Sequence, residues 1–131
     1  MKTPTRIEIT SDCDGANVSL TCDGTVYFEN DAAYVEYDGE QGAHTCIGIC
    51  PDVVTLSRMG DMDYTMVLEE GKVNSFDLGT PEGSLRFSVN TKKIRRKISD
   101  NSLHLWLVYV MSGLPHYEAE TSIKMKCNFL K

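Results

Sequence analysis

No stretch of the 131-residue chain is apolar for long enough to cross a bilayer. The longest apolar run, Leu105 to Met111, has strand length, against the roughly 18 residues that a membrane helix requires. The opening residues, Met1-Lys2-Thr3-Pro4-Thr5-Arg6, are polar and lead into no apolar core of a secretory signal. A cytoplasmic protein without membrane contact is therefore expected. Positive charge is also scarce: 13 Lys and Arg stand against 19 Asp and Glu, a formal net charge of −6. Such a chain repels phosphate backbones, so nucleic acid is not an expected partner unless the charge is strongly segregated.

Catalytic motifs are lacking as well. There is no G-x-S-x-G elbow, no P-loop, no G-x-G-x-x-G and no H-E-x-x-H. The three histidines, His44, His104 and His116, have no serine or cysteine beside them. Asp61, Asp63, Glu69 and Glu70 supply carboxylates, which a solvated turn explains. No enzyme and no cofactor are expected. Five cysteines are an odd number in a chain without a secretion signal, so free thiols are the default. Cys22 and Cys127 fall on apolar positions of their strands, where cysteine acts as a small hydrophobe. His44, Cys46 and Cys50 share a parity, but strand positions two apart place donors ~7 Å apart. With no C-x2-C knuckle either, no metal is expected.

What the sequence does contain is a period of two. Ile123, Met125, Cys127 and Phe129 alternate with Ser122, Lys124, Lys126 and Asn128, the pattern of a half-buried strand. Leu85, Phe87 and Val89 repeat it, as do Ile7 and Ile9, then Val18, Leu20 and Cys22. Asp23-Gly24 reads as a hairpin turn, because both residue types tolerate positive φ, with Val26 and Phe28 following it. Asn30-Asp31, Asp38-Gly39, Glu70-Gly71, Pro81-Glu82-Gly83, Asp100-Asn101 and Ser112-Gly113-Leu114-Pro115 supply further breaks. Thr91 to Ser99 has no helical stripe and pairs best with Leu103–Met111 in a long hairpin.

The whole chain, residues 1–131, is thus expected to form one all-β domain of about eight to ten strands. Short turns make a meander, and closure into an antiparallel up-and-down barrel removes its edges. A sandwich with the same content is the alternative. A barrel of about eight strands is either filled by side chains or holds one small ligand.

Three features stand apart from the pattern. Arg58 shares its parity with Val54 and Leu56, so it either points into the core or snorkels to solvent at the strand end. An inward Arg58 would anchor an acidic group through charge-assisted hydrogen bonds. Leu103–Met111 is apolar on both faces, which points to a packed terminal segment or a homodimer contact over Trp106. Lys92, Lys93, Arg95, Arg96 and Lys97 put five cations into six positions. A solvated strand guarded against edge pairing explains them most simply, and contact with an anion or RNA is the alternative.

Five segments stand out in order and spacing: Ala33-Tyr34-Val35-Glu36-Tyr37, Val54-Thr55-Leu56-Ser57-Arg58-Met59-Gly60, Gly79-Thr80-Pro81-Glu82-Gly83, Val89-Asn90-Thr91 and Leu105-Trp106-Leu107-Val108-Tyr109. By these, from about Thr25 to Cys127, the chain resembles the YwiB-like family of small bacterial proteins. Leu78 departs from it, standing where an aromatic residue is expected. The resemblance implies a calycin-type, lipocalin-like β-barrel and no established activity. Ligand binding is then the leading expectation: a small apolar or acidic molecule held near Arg58, Thr80, Thr91 and Tyr109. The competing expectation is a filled core acting through the Trp106 face.

Overall fold

The computed structural model describes residues 2–39, 43–113 and 116–130. Every element among them is a strand, so none is a helix long and apolar enough to cross a membrane. The first five strands are β1 (Thr3–Cys13), β2 (Ala16–Glu29), β3 (Ala32–Asp38), β4 (His44–Ile49) and β5 (Val54–Met59). The remainder are β6 (Tyr64–Leu68), β7 (Val73–Thr80), β8 (Gly83–Ile98), β9 (Ser102–Gly113) and β10 (Tyr117–Phe129).

All ladders are antiparallel, in the order β6-β5-β4-β3-β2-β1-β10-β9-β8-β7. Each strand lies beside its sequence neighbour, and the first and last strands pair from Thr5↔Phe129 to Cys13↔Thr121. This is an up-and-down barrel with one seam, between β6 and β7. At one end of the seam, Asp63 N donates to Gly79 O at 2.9 Å and Gly79 N donates to Asp63 O at 2.7 Å. At the other, the Asn74 amide donates to Val67 O at 3.1 Å. The barrel is therefore nearly closed, and the sandwich alternative is set aside.

Alternation drives the fold. Ile7, Val26, Val35, Ile49, Val54, Leu68, Val89, Leu103 and Leu107 are fully buried on the inner side of their strands. Along most of these strands polar neighbours alternate with them and face water, as a period of two demands of a barrel with one wet side, whereas β9 carries Trp106, Val108 and Val110 at its outer positions.

One expected turn is absent. β2 runs unbroken through Asp23 and Gly24, which pair with Arg6 and Thr5 of β1. The hairpin turns at Asp14-Gly15 instead, where φ is +50° and +91°. Two Asp-Gly pairs compete for one turn, and the burial pattern decides: Cys22, Gly24 and Val26 stay in phase only if the strand continues. Gly24 serves close approach. A Cβ there would collide with the backbone oxygen of Glu36 and lie 2.7 Å from Ile7 Cδ1.

The long β8–β9 hairpin forms as expected, with an irregularity. Thr91 pairs with Tyr109, yet Lys93 pairs with Val108, so Lys92 is an extra residue. This bulge inverts parity along the rest of β8. Lys93, Arg95 and Lys97 consequently share the outer face with Trp106. No described segment packs over that face. Trp106 is 36% exposed and lies against Lys93 and Lys124, whose ammonium groups are 4.2 and 5.2 Å from the ring centroid. The two lysine ammonium groups thus lie over the indole, which stays partly exposed. Leu114 and Pro115, in the expected turn after β9, lie outside the described residues.

Candidate ligand site inside the barrel

Arg58 points inward. Its β5 position pairs with Thr45 on β4 and Tyr64 on β6, and Thr45 pairs in turn with Tyr37 on β3. Directly paired residues project to the same face of a sheet, so Tyr64, Arg58, Thr45 and Tyr37 form one polar rung across four strands. The rung borders a largely enclosed cavity of about 120 Å³, whose other walls include Leu56, Leu105, Leu107 and Tyr109. No Asp or Glu among the described residues lines it. Arg58 Nε is buried there without a hydrogen-bond partner among the described residues. A buried, unpaired guanidinium donor is costly, and few native structures retain one without a use for it.

A second cavity, of about 380 Å³, shares Tyr64 and Tyr109 with the first. Its walls are Met66, Phe76, Leu78, Phe87 and Met111, and the exposed side chains of Met62 and Tyr117 mark its mouth. Aromatic rings run along one side. Tyr64–Phe76, Phe76–Phe87 and Phe87–Tyr117 have centroids 6.0, 5.7 and 5.9 Å apart. Such contacts hold a wall in place without polar groups. The volume falls within the range of small-molecule sites.

Two phenols near Arg58, those of Tyr37 and Tyr109, stay neutral. Burial pushes Tyr37 up, with Thr45 and the Arg58 cation pulling the other way more weakly. Burial also raises Tyr109 well above the ordinary phenol range. Neither can serve as counter-ion to Arg58 at neutral pH. They remain hydrogen-bond donors, suited to an anionic head group.

Of the residues singled out in the sequence, Arg58 and Tyr109 come together in this site. Thr80 does not join them. It sits at the β7–β8 turn, where its hydroxyl donates to Gly83 O at 2.8 Å and accepts from Glu82 N at 3.2 Å. Thr91 faces inward, fully buried, but lines neither cavity. Its hydroxyl has no partner among the described residues. Thr91→Val removes that orphan at nearly constant shape and is expected to raise stability by about 1 kcal/mol, read from the urea midpoint. Tyr37, Thr45 and Tyr64 escaped the sequence reading. Parity could place them inward, but only the strand register brings them beside Arg58.

The thiols give a pH prediction. Burial pushes Cys127 up to about 12, with Thr5 opposing through a hydrogen bond and Cys22 adding to the rise. A thiol whose pKa is raised by folding stabilises the native state while it is protonated in both states. That contribution is complete below the ordinary value of 9.0 and is lost as pH rises toward about 12. Alkaline unfolding followed by circular dichroism is expected to begin above pH ~9, with Cys127→Ala reducing the steepness of the loss. Exposed Cys13 is expected to react with a thiol reagent before Cys127 does.

Comparison with known proteins agrees with this architecture. A search of curated proteins finds no match. The crystal structure of the ywiB protein from Bacillus subtilis is similar with a TM-score of 0.88, at 16% sequence identity, covering 99% of this chain and 94% of that one. At that identity the likeness is one of fold. A family model described as a domain of unknown function (DUF1934) matches residues 4–125. By that match, which spans nearly all ten strands, the chain belongs to the DUF1934 family, that of the YwiB-like barrels.

Proposed function

We propose that this protein is a non-enzymatic, cytoplasmic binder of a small amphipathic acid. The anionic head meets Arg58, Tyr37 and Tyr64, and the apolar body extends past Tyr109 toward Met62 and Tyr117. The observation that carries the reading is the buried Arg58 Nε, left without a partner among the described residues in a cavity that none of their carboxylates lines. Charge-assisted hydrogen bonds to a ligand carboxylate satisfy that donor. The adjoining apolar cavity gives such a ligand somewhere to place its carbon skeleton. Likeness to lipocalins and fatty-acid-binding barrels adds only analogy of fold. Two cavities weigh against the alternative of a filled scaffold.

Native mass spectrometry of freshly purified protein tests this directly, since a carried-over acid appears as a discrete adduct. In vitro, displacement of a fluorescent anionic amphiphile by decanoate and by decanol separates head-group recognition from simple greasiness. Decanoate is expected to bind at least ~10-fold more tightly, the equivalent of one charge-assisted contact. Equal affinity for acid and alcohol, or no displacement by either, overturns the reading.

A further inference from the structure

The interior site leaves the basic cluster of β8 unused, and the fold gives that cluster a definite shape. Lys93, Arg95 and Lys97 project from one side of β9, and Lys124 and Lys126 from the other, because β9 is hydrogen-bonded between β8 and β10. The register sets Arg95, Trp106 and Lys124 on one rung and Lys97, His104 and Lys126 on the next. Two rows of cations therefore flank an aromatic floor. A groove follows this face, with Leu105, Trp106 and Met125 set among its basic lining and Glu8 as the one carboxylate among the described lining residues. Among the described ion pairs, Arg95 is the one of these five cations tied to an acid, Glu70, at 2.6 Å. The acidic character of the chain as a whole does not extend to this face.

We propose that this face binds single-stranded nucleic acid. Cations two residues apart on a strand are ~7 Å apart, close to the phosphate spacing of an extended single strand. Two such rows can follow a backbone while a base meets the floor between them. Indole is the side chain suited to stacking on a base without regard to its identity. Lys93 and Lys124 now lie over the ring. When phosphates take up their ammonium groups, a ring face passes from lysine to base. Charge and aromatic surface together favour this ligand over an acidic polypeptide, which would match the cations but make no use of the indole. Duplex is disfavoured because its bases are already stacked on each other.

Fluorescence anisotropy of a labelled oligothymidylate of about 15 nucleotides, a length near the upper site size of a small barrel, tests the proposal. Binding is expected at low salt, with tryptophan quenching and a log–log salt slope of about −3 for roughly four phosphates neutralised. Trp106→Ala is expected to weaken binding ~10-fold or more while leaving the salt slope nearly unchanged. Lys124→Gln with Lys126→Gln is expected to reduce the slope by about one unit or more. These side chains are outward, and Lys124→Gln with Lys126→Gln leaves the packed interior untouched should Trp106→Ala fold poorly. Arg58→Met is expected to bind the oligonucleotide as the native protein does, so this proposal and the interior site fail separately. Absence of binding at low salt overturns it. So does equal competition by polyglutamate, equal affinity for duplex, or a dimer in sedimentation that dissociates on substitution of Trp106.

Discussion

Arg58→Met is expected to abolish preferential binding of a carboxylate over the matching alcohol and, at the same time, to make the barrel more stable. The two effects share one cause. The Arg58 donor Nε is buried beside Leu56, Leu105 and Leu107 and has no described partner. Arg58 as a whole is half-buried, and replacing its unpartnered Nε with an apolar side chain of similar length is expected to be stabilising by about 1 kcal/mol. The ligand loses its head-group contact in the same step, and decanoate affinity is expected to fall to that of decanol. Urea melts and displacement titrations on one preparation read both. A loss of stability would show that Arg58 serves the fold, and the interior site would then need another anchor. Arg58→Lys keeps the charge but not the planar fork, and is expected to retain only part of the preference.

Gly24→Ala is expected to cost about 3 kcal/mol, the upper end for overpacking, and to do so more severely than Gly15→Ala. The added methyl group at residue 24 meets the backbone oxygen of Glu36, and Tyr37 Cβ lies 3.0 Å away. A backbone oxygen cannot move aside without opening the β2–β3 ladder. Gly15, by contrast, has nothing within 4 Å of an added Cβ, and its cost comes from φ of +91° alone, about 1 kcal/mol. Urea midpoints of the two variants rank the two Asp-Gly pairs. The reverse ranking would restore the turn that the sequence suggested at Asp23-Gly24. Because Tyr37 belongs to the polar rung, Gly24→Ala is also expected to weaken ligand binding where it still folds.

Much of the architecture was legible in the residues. Strict alternation in Ile123–Phe129, Leu85–Val89 and Ile7–Ile9 required strands with one wet face, and turn residues at regular intervals required short connections. Closure followed from the need to hide edges. The inward parity of Arg58 could be read from Val54 and Leu56, though parity alone left open a turn outward at the strand end. The indole face could be found but not interpreted. An apolar run on both sides of β9 called for cover, and the sequence does not say that lysines from β8 and β10 lie over the indole.

Sequence by itself determined the class of fold, because side-chain period is a local property carried by neighbours two residues apart. Register is not local, and tertiary structure alone decided it. Pairing across strands placed Tyr37, Thr45 and Tyr64 around Arg58 and left Thr80 and Thr91 outside the cavities. One extra residue in β8 turned Lys93, Arg95 and Lys97 to the side of Trp106. The phase of burial along β2 chose between two identical dipeptides for a single turn. In each case the decision lay in how a strand packs against partners distant in sequence, where a shift of one residue exchanges the inside of the barrel for the outside.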